Sequence, residues 1–472
     1  MLSLGGCLLS GEKPDPALDI PQAYDGGPKN PAVAEAAVPT LDWWRGFRSK
    51  ELTEVIEEAR AANLDIAAAV ARIVQADAQS RIAGAPLLPG VNLNGGATRS
   101  RASQATGGLG GPSAGSFAGS SSERDSLSAS LTASYEIDFW GKNRSALRTA
   151  EETAAASRYD REVVGLTTVV ATANAYFQVL AAQDLLRSTR ENEKSATRVL
   201  NLIQQRLNAG TASALETAQQ ESLVNTQRAL IPPLEQILTQ NRNALALLMA
   251  RSPESVRVRG GSLRSIAYPR VTPGLPSELL AQRPDIREAE ANLAAANANV
   301  ENARAQMLPS ITLTGEGGYQ SAVLRTLLRP ESAFYTLTAG LTQPIFDGLK
   351  LQGNLDLQKG KQDELLQNYR KAVISAFSDV ETALDGIRQT ALRERLQGDV
   401  VTSSQRAFDI SEQRLNQGTI DLVTVLQTQQ ALYTAQLARV QARLAHVQAI
   451  VSLYQALGGG WLPKPLETTD AR

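Results

Sequence analysis

The sequence predicts an α+β protein in which one helical and hairpin unit is built twice. Three observations carry this. The heptapeptide Gln205-Arg206-Leu207-Asn208-Ala209-Gly210-Thr211 returns 208 positions later as Gln413-Arg414-Leu415-Asn416-Gln417-Gly418-Thr419, the mark of a tandem duplication. Apolar residues follow a 3-4 spacing at Val163, Leu166, Val170, Ala173, Phe177 and Leu180, and again at Val373, Phe377, Val380, Leu384 and Ile387, which is a coiled-coil seam. Between these helical stretches the period drops to two. Leu127, Ala129, Leu131, Ala133, Tyr135 and Ile137 alternate with Ser128, Ser130, Thr132, Ser134, Glu136 and Asp138. That alternation belongs to strands apolar on one face only.

Composition narrows the field. The 472 residues carry a net charge of −1 and only 5% aromatics. A polyanion-binding signature is missing, so nucleic acid is not an expected partner. The single histidine, His446, and the single cysteine, Cys7, leave no basis for a His-based triad, a metal cluster or an intrachain disulfide. No phosphate loop or nucleophile elbow occurs. An enzyme is not expected. No run of 18 uninterrupted apolar residues is present, so no membrane-spanning helix is expected.

In chain order, residues 1–7 end in Leu4-Gly5-Gly6-Cys7, similar to a lipoprotein cleavage box. Lipid is expected on Cys7, with Leu8 after it favouring the outer membrane, and no other cofactor. Residues 8–48 form a Pro-rich tether that leads into the folded part at Asp42-Trp43-Trp44. Residues 49–87 make the first helical repeat, one helix from Ser49 to Ile82. Residues 88–140 make a β-hairpin whose tip, Ala102 to Asp125, reads as an external loop. Residues 141–250 hold a helix of about 67 residues, roughly 100 Å at 1.5 Å per residue, then a tip at Gly210, then a return helix of some 38 residues. Residues 251–276 connect the halves. The second half repeats the order as helix 277–307, hairpin 308–346, long helix, tip and return helix 347–457, and tail 458–472. At each tip the glycine is expected in the left-handed region, with Thr211, Ser213, Thr419 or Asp421 capping the helix that follows.

The strands have about the 9–11 residues that a tilted strand needs to cross a bilayer. Four strands cannot close a barrel, and lipid does not tolerate open sheet edges. Several chains must therefore share one barrel, and three would supply twelve strands. A hollow coiled-coil cylinder would continue it, which is a conduit.

These features resemble the outer-membrane efflux channels of the TolC/OprM type, and among them the lipid-anchored NodT-like lipoprotein branch. The residues that carry the resemblance are the Cys7 box, Trp43-Trp44, Leu88-Pro89 and Leu308-Pro309, the run Tyr135 to Gly141, Arg283-Pro284-Asp285-Ile286, Pro344 to Gly348 and both tips. The resemblance implies a homotrimer, a twelve-stranded barrel in the outer-membrane lipid and an equatorial belt made by residues before Leu52, Val258 to Pro276 and the tail after Leu457. It also implies two partners, a periplasmic adaptor and an inner-membrane pump of the resistance–nodulation–division (RND) class. Small toxic molecules would be the cargo, with no chemistry done on them. It places adaptor docking at Arg206, Leu207, Gly210, Thr211, Arg414, Leu415, Gly418 and Thr419. It places a periplasmic aperture at Glu216, Asp421, Leu422, Thr424, Val425 and Gln427. Thr424 and Gln427 are neutral where the family carries acids, and Ile420 stands at the family's arginine position. A weakly charged constriction packed by Leu422, Val425 and Leu426 follows as the expectation.

Overall fold

The computed structural model describes residues 15–18, 24, 40–101, 123–269 and 276–461. Nine α-helices and four strands lie among them: α1 Lys50–Ala62, α2 Leu64–Gly84, β1 Gly90–Arg101, β2 Glu123–Ile137, α3 Lys142–Asn208, α4 Ala214–Ala229, α5 Ile231–Leu248, α6 Pro276–Gln282, α7 Pro284–Ala305, β3 Ser310–Ser321, β4 Ala333–Thr342, α8 Lys350–Asn416 and α9 Leu422–Ala456. The two long helices each run 67 residues, as the uninterrupted periodicity predicts.

Three breaks divide helical stretches that the sequence pattern reads as continuous. The helix expected from Ser49 to Ile82 stops at Asn63, whose side-chain oxygen accepts from Asp65 N and Ile66 N and so starts α2. A side-chain acceptor there competes with the helix and satisfies the free N–H groups of a new N-terminus. The return helix after the first tip breaks at Leu230. Pro232 and Pro233 lack N–H groups and fit only the first turn of α5. In the second half Arg283 separates α6 from α7, because the residue before Pro284 is pushed out of the helical region. The external loop is also shorter than expected, since Glu123, Arg124 and Asp125 already belong to β2; 102–122 fall outside the described residues.

The chain divides into two compact units. The first draws on Gln75–Ala154 and Ala291–Leu366 and contains the sheet. All pairings are antiparallel in the order β1-β2-β3-β4. Leu93 lies opposite Leu131, Tyr135 opposite Leu313, and Leu313 opposite Ala339. The odd-numbered apolar residues of β1 to β4 therefore share one face. Gly318 is required where it stands. A Cβ there would come within 2.2 Å of Ala129 O and 2.6 Å of Ser130 Cα. The hairpins hand over to the long helices through Gly141 at φ +78° and Gly348 at φ +68°. Asp138 accepts from Asn143 N and Arg144 N, and Asp347 accepts from Leu351 N. These two aspartates serve as helix-starting acceptors. Trp140 Nε1 donates to Pro309 O at 2.8 Å and ties the first turn to the start of β3.

The second unit draws on Pro16–Val74, Ala155–Glu290 and Gln367–Arg472. Its largest core joins Trp43, Trp44 and Phe47 to Val170, Ala173, Phe177 and Leu180 of α3, Leu263 and Ile266 of the connection, and Val447, Ile450, Val451 and Tyr454 of α9. Trp43 stacks on Tyr454 with centroids 4.7 Å apart. The seam residues predicted from spacing thus pack against the segments expected in the belt. Two carboxylates, half-buried Glu51 and buried Asp184, fasten the connection. Glu51 accepts from Tyr176 Oη at 3.0 Å and Arg259 N at 2.6 Å, and Asp184 accepts from Ser262 Oγ and Leu263 N. Burial pushes the Tyr176 phenol well above its ordinary range. Part of α3 is long and apolar enough to cross a membrane, contrary to the sequence expectation, but more than half of that window is buried inside the protein.

His446 belongs to a cluster of polar side chains. Its Nδ1 lies 2.7 Å from Glu394 Oε2, Tyr268 Oη donates to the same carboxylate at 2.9 Å, and Arg443 Nη1 lies 3.4 Å away. This buried cluster ties Tyr268 of the connection to both α8 and α9. Four residues dispersed over 179 positions give no local signal of it.

Candidate functional site: the helix tips and the membrane sheet

The tips follow from the repeated heptapeptide. Gly210 has φ +78° and Gly418 has φ +70°, positions that only glycine adopts without strain. Around each glycine the backbone closes the same way. Thr211 N donates to Arg206 O at 2.8 Å, and Thr419 N donates to Arg414 O at 2.9 Å. The caps then diverge. At the first tip Ser213 Oγ accepts from Glu216 N, while Glu216 Oε2 accepts from Ser213 N at 2.6 Å, a reciprocal capping box. At the second tip Asp421 Oδ1 accepts from Thr424 N and Thr424 Oγ1, both at 2.8 Å. Those bonds hold the Asp421 carboxyl below the usual carboxylate range. Glu216 and Asp421 therefore each start a helix.

Beneath the turns the two halves share one core of Ala196, Val199, Ile203, Val224, Phe408, Leu415, Leu422, Val425, Leu432 and Tyr433. This corrects the expectation for three residues. Leu415 is 3% exposed, Leu422 2% and Val425 0%, so their side chains hold the tips together within one chain and present nothing to an adaptor or a lumen. Leu426 packs against the same core. At the start of α9, Asp421, Val423, Gln427 and Gln430 are exposed and Thr424 is half-buried. On the turns themselves Gly210, Thr211, Arg414, Gly418 and Thr419 are exposed, and Leu207 is half-buried.

Two contacts were invisible in the sequence. Arg206 Nη1 donates to Leu415 O at 2.9 Å and so joins one tip to the other. Gln220 Nε2 donates to Ala196 O at 2.9 Å and lies 3.3 Å from Gln429 Oε1, and Gln429 Nε2 meets Tyr433 Oη at 2.7 Å. Gln429 is fully buried. The S-x-x-E spacing of Ser213 and Glu216 is the one signal that could have shown the capping box in advance.

The sheet leaves its apolar face uncovered: Leu93 is 80% exposed, Tyr335 82% and Leu337 81%. An uncovered apolar face with strands of 10 to 15 residues suits hydrocarbon. Exposed Phe139, Ile345, Phe346 and Leu349 extend that character to the strand–helix turns. Cys7 lies outside the described residues. Among the described residues no group of three or more His, Cys, Asp or Glu is placed to hold a metal ion.

A duplicated helical chain with a lipid-compatible sheet and two glycine-hinged tips defines an outer-membrane channel subunit. The profile of the outer membrane efflux protein family matches residues 55–251 and 275–459, and the chain belongs to that family. It is 41% identical over 464 residues to the pyoverdine export outer membrane protein OpmQ of Pseudomonas putida, covering 98% of this chain and 97% of the relative. It is 43% identical over 420 residues to the OpmQ protein of Pseudomonas aeruginosa, covering 89% and 87%. The Campylobacter jejuni CmeC outer membrane channel superposes with a TM-score of 0.88 at 25% identity, over 97% of this chain and 96% of that one. The chain is thus an outer-membrane component of an efflux system, with a large periplasmic portion. Its family is one of channels rather than enzymes.

Proposed function

We propose that three copies of this chain close their sheets into one twelve-stranded barrel, and that the resulting duct passes small molecules outward. An inner-membrane pump, of the RND class on the sequence reading, supplies the energy, and a periplasmic adaptor bridges to the tips. The observation that carries this is the sheet itself. β1 and β4 each pair on one side only, and an open edge in hydrocarbon costs several kcal/mol per unmet backbone group. Joining β4 of one copy to β1 of the next removes every edge.

Within this reading Gly210, Thr211, Arg414, Gly418 and Thr419 meet the adaptor, and Arg206 sets the spacing of the two tips. Asp421, Thr424 and Gln427 line the periplasmic aperture with Val423, giving a weakly charged constriction. Lipid on Cys7 adds an anchor. The two OpmQ relatives, both named for pyoverdine export, favour a secreted molecule of that kind as the cargo, over the general toxicants that the sequence reading suggests.

The mass of the full-length protein purified in mild detergent tests the assembly. A trimer is expected, and a folded monomer overturns the barrel. Deleting the gene then tests the cargo. Retention of pyoverdine-like compound in the periplasm is expected, with secretion restored by the intact gene.

A further inference from the structure

We propose that Glu316 sets the charge preference of the barrel's water-filled interior, favouring cationic and neutral solutes over anionic ones. The inference rests on the barrel reading above, which turns the apolar, odd-numbered face of the sheet to lipid and the even-numbered face inward.

The strand register puts Glu316 in a polar row. Asn92 lies opposite Thr132, Thr132 opposite Glu316, and Glu316 opposite Thr336. The rows on either side, Asn94 to Phe334 and Gly90 to Thr338, hold no charged residue. Glu316 stands midway along β3 and is half-buried. Among the described residues no ion pair reaches its carboxylate. Two other charges lie on this face of the strands. Arg124 precedes Thr132 on β2 by a strand length of roughly 27 Å. Glu136 lies toward the periplasmic end and is matched by Lys142 at 2.6 Å. Residues 102–122, between β1 and β2, contain no charged side chain, and Arg325, Arg329 and Glu331 stand beyond the strand ends between β3 and β4. Across the middle of the even-numbered face the fixed charge is therefore one carboxylate per chain.

The sheet does not need an acid there to form, since the first half has Gly96 at the corresponding place, 220 positions earlier. A charge at membrane depth is costly unless it faces water. Three copies bring three such carboxylates into one ring. An acidic ring in a wall of low dielectric concentrates cations and holds back anions. The tips supply only a weak charge of this kind, for Thr424 and Gln427 are neutral and Asp421 is engaged as the cap of α9.

Thiol labelling of the full-length protein in mild detergent provides the test. Ser134→Cys places a reporter on the even-numbered face, at an exposed position one row nearer the periplasm and roughly 7 Å along the strand. The protein without the reporter gives the background from Cys7. A cationic and an anionic methanethiosulfonate are compared at about 10 mM salt, where the screening length is roughly 30 Å. With Glu316 in place, the ratio of cationic to anionic rate is expected to exceed that of free cysteine. Glu316→Gln beside the reporter should lower the ratio about threefold or more, and Glu316→Asp should retain it. At about 1 M salt the difference should vanish. Trimer mass reports assembly for each. If the Gln variant does not assemble, the salt dependence of the ratio with Glu316 in place is the test, and a ratio indifferent to salt overturns the proposal. An unchanged ratio in a trimeric Glu316→Gln protein overturns it and leaves the barrel standing. A trimer whose reporter resists both reagents, or a folded monomer, sinks the barrel reading itself.

Discussion

The two return helices show what the duplication preserved and what it released. Ala214–Leu248 and Leu422–Ala456 begin and end 208 positions apart and each span 35 residues. The second is one helix. The first is two, because Ile231-Pro232-Pro233 stands where the second half has Arg439-Val440-Gln441. The middle was free to change, and the ends were not. Both C-termini are held by the residue at the break between the paired short helices. Asn63 Nδ2 donates to Leu248 O at 2.9 Å, and Arg283 Nη1 donates to Ala456 O at 3.3 Å. Each satisfies a carbonyl that the last turn of a helix leaves open. The same structural task is done by a neutral amide in one half and by a guanidinium in the other.

The chemistry of that difference sets the largest expected effects. Arg283 also meets Asp285 at 2.6 Å and Asp379 at 2.9 Å, with its own side chain only 12% exposed. Burial pulls its basicity down, and the two aspartates more than offset this, so the net shift is upward. Arg283→Met leaves both carboxylates and the Ala456 carbonyl without their partner. A loss of about 2–3 kcal/mol is expected, below the range for a fully buried pair because the aspartates are partly solvated. The shift in denaturant midpoint of the detergent-solubilised protein measures it. Asn63→Ala removes a cap and one tertiary bond but strands no charge, and about 2 kcal/mol is expected. If the two variants cost the same, the guanidinium contributes nothing beyond the hydrogen bond.

At the tips the comparison is between a capping box and a single carboxylate. Ser213→Ala removes the Oγ acceptor of the box while leaving the Ser213 N to Glu216 bond, and should cost about 1 kcal/mol, read as faster amide exchange over the first turn of α4. Asp421→Ala should loosen the first turn of α9 in the same assay. The wild-type second tip carries a pH signature. The Asp421 carboxyl titrates lower in the folded protein than in the unfolded chain. Its stabilisation is therefore complete above the unfolded value and fades as pH falls through the depressed one.

Periodicity made the 67-residue helices, the four strands and both tips legible, because each rests on local spacing. Sidedness at the tips was not legible. A helix in a bundle repeats its apolar stripe every three to four residues whether that stripe meets its own chain or a neighbour. Leu415, Leu422 and Val425 therefore read as available surface when they are core. The Arg206 to Leu415 bond joins residues 209 positions apart, which no window in the sequence can pair. The break at Leu230 has a different origin: Pro232-Pro233 is a local stop signal set within an apolar pattern that continues on both sides of it.

The seam between α3 and α4 sharpens the contrast further, with an effect of opposite sign. Asn192 Nδ2 and Gln227 Oε1 are buried without a protein partner. They lie one residue before Glu193 and Arg228, which pair across the seam at 3.0 Å. Second-half positions 400 and 435 hold Val400 and Ala435 instead. Replacing both polar groups with leucine removes two desolvation costs together. Stability is expected to stay level or rise by up to about 1 kcal/mol, and a fall of 2 kcal/mol would show that ordered water already satisfies the pair.

The smallest expected effect lies where Asp65 and Asp285 match across the halves but Ala68 faces Glu288. Burial raises the Glu288 carboxyl above its ordinary 4.5, and Asp160 and Asp285 raise it further against the pull of Arg72. The folded state then holds this proton more tightly than the unfolded chain. Ionisation weakens the fold, so this contribution is lost as pH rises from 4.5 through the raised value. Glu288→Ala copies the first half and should flatten that part of the midpoint-against-pH curve. Glu288→Gln should flatten it equally while keeping the side chain's packing. An unchanged slope in both variants would place the titration on another group, with Glu288 solvated enough in the assembled protein to behave as an ordinary surface carboxylate.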